Sequence, residues 1–200
     1  SDFLRRQAAA GPALDDPLNL GNAFLELTRQ MMSDPAKLME AQAALWQDYL
    51  QLWQNTARSM MGETVAPLAA PERGDKRFRH EDWEQNQVFD FVKQFYLITA
   101  RWMQQTTQDV EGLDAETQAK VDFYTRQFAD ALSPSNFALT NPEVLRAIAE
   151  SDGENLVQGL DNLLRDLESG EGKLKISQTD MAAFEVGRNV GVTPGKVVFQ

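Results

Sequence analysis

Cysteine is missing from this sequence, and histidine occurs once, as His80. The first absence removes disulfides, thiolate nucleophiles and thiolate metal ligands together. The second removes any zinc or haem centre that needs a further imidazole. A cysteine-free chain fits a reducing compartment, and the expected location is the cytoplasm. Long apolar runs are also missing. The richest window, residues 88–103, contains Asp90, Lys93 and Arg101, whereas a membrane span needs about 20 predominantly apolar residues. Arg5 and Arg6 are followed by no apolar stretch, so the start does not read as a signal peptide. Positive charge is scarce: 19 Lys and Arg stand against 30 Asp and Glu, a net charge of −11. That balance argues against nucleic acid as a partner, because phosphate neutralisation needs a basic footprint.

Motifs of common chemistries are missing in the same way. No G-x-S-x-G elbow occurs, and no nucleophile is paired with a base for acyl transfer. The segment GVTPGK, residues 191–196, is one residue short of a phosphate loop and lacks the Ser or Thr that holds magnesium. It also precedes a strand, where a phosphate loop follows one. Glu81/Asp82 and Asp161/Asp166 sit among polar neighbours and read as solvated faces. His80 reads as a loop residue with no task. Arg73, Lys76, Arg77 and Arg79 form a short basic cluster, for which a solvated linker and an anion site are both open readings. The residues alone therefore predict no catalytic group, no cofactor site and no metal site.

What the sequence does contain is helix. Two hundred residues with 42% hydrophobic content are enough for a packed core. Residues 1–16 are small, polar and aperiodic, a loose tail. From Pro17 onward Leu20, Phe24, Leu27 and Met31 recur on one stripe. Ser33 or Asp34 then caps a second helix with Pro35 at its first position, where the missing N–H costs nothing; it runs to Met61 and stops at Gly62. On it Leu38, Leu45, Tyr49 and Leu52 form one stripe, and Trp46, Leu50, Trp53 and Met60 form an adjacent one. So wide an apolar face needs other helices, a second subunit or a surface. A ligand site at Trp46 and Trp53 is the other reading. Met31, Met32, Met39, Met60 and Met61 suit irregular partners. Residues 17–61 are thus expected to be an amphipathic contact arm, with Leu38, Leu45, Trp46, Tyr49, Leu52 and Trp53 as its interaction residues. Residues 62–75, rich in Gly and Pro, are expected to be a flexible linker.

Phe78 and Trp83 then read as anchors onto a core. Residues 84–110 are expected to be one long helix, with Phe91, Phe95 and Trp102 in the core. Asp114 caps the next, which carries Val121, Tyr124, Phe128 and Leu132 and stops at Ser133-Pro134, an antiparallel partner. Thr140 with Glu143, and Ser151 with Glu154, read as capping boxes of two further helices. The second bears Leu156, Leu160, Leu163, Leu164 and Leu167. Residues 76–169 form the expected helical core. In residues 170–200 the character changes: 172–180 alternate as a short extended piece, and 184–200 have the density of Gly and β-branched residues typical of turns and strands. A strand begins at Lys196 and continues through Phe199, after the Thr193-Pro194-Gly195 turn. The predicted fold is mainly α, with a short extended C-terminal segment.

Residues 75–103, DKRFRHEDWEQNQVFDFVKQFYLITARWM, resemble the N-terminal signature of poly(3-hydroxyalkanoate) synthases, class I-like. That family's pattern comprises a D-x-R-F segment, a helix opening W-x-x-N-P and closing on Trp, then S-P-x-N-F, T-N-P-E and a Gly- and Leu-rich run. Here these stand at residues 75–78, 83–102, 133–137, 140–143 and 153–166. The end, FEVGRNVGVTPGKVVFQ, is similar to the family's F-x-V-G-x-N-x-A-x-T-P-G-x-V-V. Gln87 replaces a common proline, and Gly191 a common alanine. The resemblance is dense over residues 75–200 and looser over 17–61. It makes Phe78, Trp83, Phe95 and Trp102 structural motif positions.

The resemblance implies a non-catalytic domain of an acyltransferase that polymerises 3-hydroxyacyl-CoA. In complete members an α/β-hydrolase domain follows, with a Cys nucleophile and Asp and His partners; none of them is in this sequence. Lys196–Phe199 would then be the first strand of that domain, and the chain would end at the domain boundary, inactive by itself. The partners implied are its own catalytic domain, a second copy of the parent, the polyester granule surface and phasin-type proteins. A free-standing helical adaptor at storage granules is the alternative.

Overall fold

The computed structural model describes residues 19–108, 110–170 and 183–190. The expected tail at 1–16, the extended piece at 172–180 and the strand at 196–199 lie outside these described residues. Within them the protein is mainly α and contains no strand; Val186 and Val190 make one isolated bridge. There Gly187, at φ 87°, lets the chain turn tightly enough for its amide to reach the Val190 carbonyl at 2.8 Å.

Helix α1 spans Leu20–Ser33 and α2 spans Pro35–Met60. The break between them is a capping event. Asp34 leaves helical geometry and its carboxylate accepts the Lys37 amide at 3.1 Å, while Pro35 occupies a position that needs no N–H. The long helix expected over 84–110 is instead two. The short turn α3, Asp82–Gln85, is followed by α4, Gln87–Thr107, with Asn86 extended between them. The physical reason is the Asn86 side chain, which accepts the Val88 amide at 3.0 Å and so starts a new helix.

Asp114 caps α5, Ala115–Ala131, by accepting the amides of Glu116 and Thr117, both at 3.0 Å. Asn136, in the 3-10 turn Pro134–Asn136, closes that helix by donating to the carbonyls of Asp130 and Ala131. Neither expected capping box forms as such. At α6, Pro142–Glu150, the cap is Asn141, whose side-chain oxygen accepts the Glu143 amide at 3.0 Å. Thr140 instead donates its hydroxyl to the Pro134 carbonyl at 2.7 Å. At α7, Glu154–Ser169, the chain enters through Asp152 and Gly153, both with positive φ, and Gly153 occupies the cap position.

The described residues divide into two compact units, one up to Arg146 and one from Ala147 onward. In the first, the arm does not stand apart. Leu45 and Leu52 of α2 are buried with Ile98 of α4 and with Ala69. Ala23 and Leu27 of α1 are buried on Val121 of α5. Phe78, Trp83 and Tyr96 make a third buried cluster at the α3–α4 corner. In the second unit α7 buries no residue, and Leu156, Leu160, Leu163 and Leu164 all remain exposed.

Candidate interaction surface

The two stripes of α2 part company in the fold. They are offset by one residue, about 100° around a helix. That rotation sends Leu45 and Leu52 inward, with Leu38 and Tyr49 half-buried beside them. It leaves Trp46, Leu50, Trp53 and Met60 at least 60% exposed. The six expected interaction residues therefore divide: Leu45 and Leu52 belong to the chain's own core, because α4 supplies the apolar partner their face requires, and Trp46 and Trp53 remain outside.

The exposed tryptophans are not isolated. Trp46 meets Tyr49 edge-on at 5.9 Å between ring centroids, and Tyr49 stacks on Phe95 of α4 at 4.5 Å. Phe95 neighbours Phe91 at 6.2 Å, and Phe91 meets Trp53 at 5.0 Å. Five rings thus form one continuous band along the α2–α4 seam. Phe95 was expected in the core, yet it is 42% exposed in this band. Positions one residue on either side, Gln94 and Tyr96, point into the fold instead. Tyr49 is fixed from below, its hydroxyl 2.8 Å from that of Thr99.

The remaining motif residues hold the scaffold of that seam. Trp83 is 1% exposed and packs edge-on against Phe78 at 5.0 Å. Trp102 is half-buried and its indole N–H donates to the Ala41 carbonyl at 3.0 Å, tying α4 to α2. In the D-x-R-F segment Arg77 is paired with Asp75 at 2.8 Å and with Asp130 at 2.8 Å, and donates to the Tyr96 hydroxyl at 2.9 Å. Hydrogen bonds from Arg77 hold the Asp75 carboxyl below the usual carboxylate range. Burial pushes the Tyr96 phenol up, against the opposing pull of Arg77.

Two polar residues to which the sequence assigned no structural role position the seam. Gln94 is buried and its side-chain oxygen accepts the amides of Leu68 (2.7 Å) and Ala69 (3.2 Å). This anchors the stretch expected to be a flexible linker: Ala69 is 2% exposed, within the α2–α4 core. Lys93 is buried as well, donating to the Trp83 carbonyl at 2.8 Å and paired with Asp90 at 2.9 Å. The signal was a Lys-Gln pair inside the most apolar window of the chain.

No described helix is long and apolar enough to cross a membrane, and no described cluster of acidic or histidine side chains could hold a metal ion.

The chain is similar to several curated polymerases. A poly(3-hydroxyalkanoate) polymerase of Methylorubrum extorquens is 46% identical over 169 residues, 84% of this chain and 28% of that protein. A poly(3-hydroxyalkanoate) polymerase subunit PhaC of Rhizobium meliloti (strain 1021) is 42% identical over 175 residues, 88% of this chain and 29% of that one. Its counterpart from Cupriavidus necator is 43% identical over 166 residues, covering 83% and 26%. The chain therefore spans less than a third of the length of these relatives. No solved structure matches it. Residues 74–200 match the family model described as poly-beta-hydroxybutyrate polymerase (PhaC) N-terminus, and the chain belongs to that family.

Proposed function

We propose that this chain is the non-catalytic helical region of a polyhydroxyalkanoate polymerase, and that it supports the dimerisation, granule attachment and stability of that enzyme. The relatives are poly(3-hydroxyalkanoate) polymerases; in this reading the parent is a cytoplasmic acyltransferase that polymerises 3-hydroxyacyl-CoA. The observation that carries the reading is the five-ring band of Trp46, Tyr49, Phe95, Phe91 and Trp53. Large aromatic rings held rigidly at a surface are typical anchors of protein contacts. They also suit an apolar polyester surface and the phasin-type proteins that share it. The uncovered leucines of α7 supply a second apolar face, suited to the parent's own catalytic region.

Deleting residues 1–69 is a poor test, because it strips Leu45, Leu52 and Ala69 from Ile98. Surface substitution is cleaner. In the full-length polymerase, Trp46→Gln with Trp53→Gln should lower both self-association in sedimentation velocity and recovery with polyester granules. Unchanged behaviour in both assays would make the band ordinary packing and defeat the reading.

A further inference from the structure

Most described arginines lie against a carboxylate: Arg29 on Glu26, Arg58 on Glu63, Arg77 on Asp75, Arg146 on Asp82, Arg165 on Asp161 and Arg188 on Glu185. Such pairing is expected where acids outnumber bases, 30 to 19. Arg73, Arg79, Arg101 and Arg126 have no ion-pair partner among the described residues. Three of these four, Arg73, Arg101 and Arg126, line a single cavity of ≈ 600 Å³. They reach it from separate places: Arg73 from the segment before α3, Arg101 from α4 and Arg126 from α5.

The carboxylates of this cavity are Glu72, Asp75 and Asp130. Two of them are already engaged, since Arg77 bridges Asp75 and Asp130 at 2.8 Å each. Arg77 is itself steadied by the Tyr96 hydroxyl. One guanidinium between two carboxylates leaves a single negative charge and Glu72 adds another, so the three other guanidiniums outnumber the carboxylates left unbalanced and tip the cavity to net positive. Grouping three like charges in a chain of net charge −11 raises their mutual repulsion unless an anion sits between them. Leu97 and Ala100 add an apolar wall beside them.

We propose that this cavity binds a phosphate-bearing small molecule, with Arg73, Arg101 and Arg126 taking its phosphomonoester or diphosphate group. The guanidinium fork matches phosphate oxygens in pairs, which a lysine does not do. A concave site of several hundred Å³ suits a small molecule better than a flat protein face does. The attached organic group would lie along Leu97 and Ala100. Inorganic diphosphate and a phosphorylated coenzyme such as coenzyme A share this chemistry. The site does not depend on the aromatic band, so the two ideas fail separately.

Isothermal titration of the 200-residue chain at low salt tests it, with pyrophosphate, coenzyme A and a tetraglutamate peptide as probes. Low salt matters because exposed charges are screened beyond about 10 Å at 0.1 M. Arg73→Gln, Arg101→Gln and Arg126→Gln should each weaken pyrophosphate about tenfold, and the triple variant should abolish binding. Arg79→Gln, the unpaired arginine outside the cavity, should change nothing. Tighter binding of coenzyme A than of pyrophosphate by tenfold or more identifies the coenzyme as the source, and equal binding identifies the free anion. The proposal is overturned if the unaltered chain and the triple variant take up pyrophosphate alike, if Arg79→Gln weakens it as much, or if tetraglutamate binds more tightly than either phosphate ligand. Circular dichroism of the triple variant, expected to match the parent chain, excludes loss of fold as the cause; if the variant is unfolded, charge-retaining Arg101→Lys replaces it and must still weaken binding.

Discussion

The ring of Tyr49 lies on the ring of Phe95 with centroids 4.5 Å apart and planes 14° from parallel. The Tyr49 hydroxyl is 2.8 Å from Thr99 Oγ1, one helical turn further along α4. One side chain of α2 thus binds α4 both through its face and through its edge. Tyr49→Phe should keep the stack and lose only the hydrogen bond, costing about 1 kcal/mol. Tyr49→Ala should also lose the ring pair and cost at least about 1 kcal/mol more. Urea melts of the two variants compare these outcomes.

Burial divides α2 and α4 into costly and tolerant positions. Ile98→Ala, at a site 3% exposed, should cost about 2–5 kcal/mol through lost burial and a cavity. Trp53→Ala, 63% exposed, should cost about 1 kcal/mol, mainly its contact with Phe91. Phe95→Ala should fall between them. Equal losses for Ile98→Ala and Trp53→Ala in denaturant melts would contradict this division.

Gln94 ties down the Leu68 and Ala69 amides from 25 or more positions away. Gln94→Leu leaves both amides without their acceptor and should cost about 1–3 kcal/mol. Hydrogen exchange at Leu68 and Ala69 should accelerate much more than exchange in α5. Uniform acceleration across the domain would show that Gln94 acts on global stability alone.

The Arg77 network makes a pH-dependent contribution of known sign. Asp75 has its folded pKa lowered by Arg77, so its contribution is fully present above the unfolded carboxylate value of about 3.9. It is lost as pH falls through the lower folded value. Arg77→Met should cost about 1 kcal/mol at pH 7, a modest figure because the guanidinium is 34% exposed. That cost should shrink below about pH 4. The part owed to the rings of Phe78 and Tyr96, 5.6 and 5.5 Å from the guanidinium, should persist. Thermal melts from pH 7 to pH 3 would show it, and a constant difference would exclude Asp75 as the cause.

Polymerisation through a covalent thioester needs a cysteine thiolate, and this sequence has no cysteine. The purified chain should release free coenzyme A from 3-hydroxybutyryl-CoA no faster than buffer does. Release above that blank would place chemistry in the chain.

Composition and periodicity determined that the chain is helical, that one cap falls at Asp114 and another at Ser33 or Asp34, and that α2 carries two apolar stripes. These are local facts, set by spacing along one helix and by side chains reaching amides two or three residues away. The motif spacing also carried the family. Periodicity could not say which stripe would face inward, because Leu45 and Trp46 are equally apolar neighbours. That was decided by Ile98 of α4 together with Ala69 of the stretch between α2 and α3, which accept compact leucines. The same long-range choice put Phe95 at the surface, buried Lys93 and Gln94, and fastened a Gly- and Pro-rich stretch that reads as a linker. Arg73, Arg101 and Arg126 are up to 53 positions apart, and only the packing of α4 and α5 places them around one cavity. Local chemistry wrote the helices; the pairing of faces, which needs a partner surface to exist, was settled by the tertiary structure.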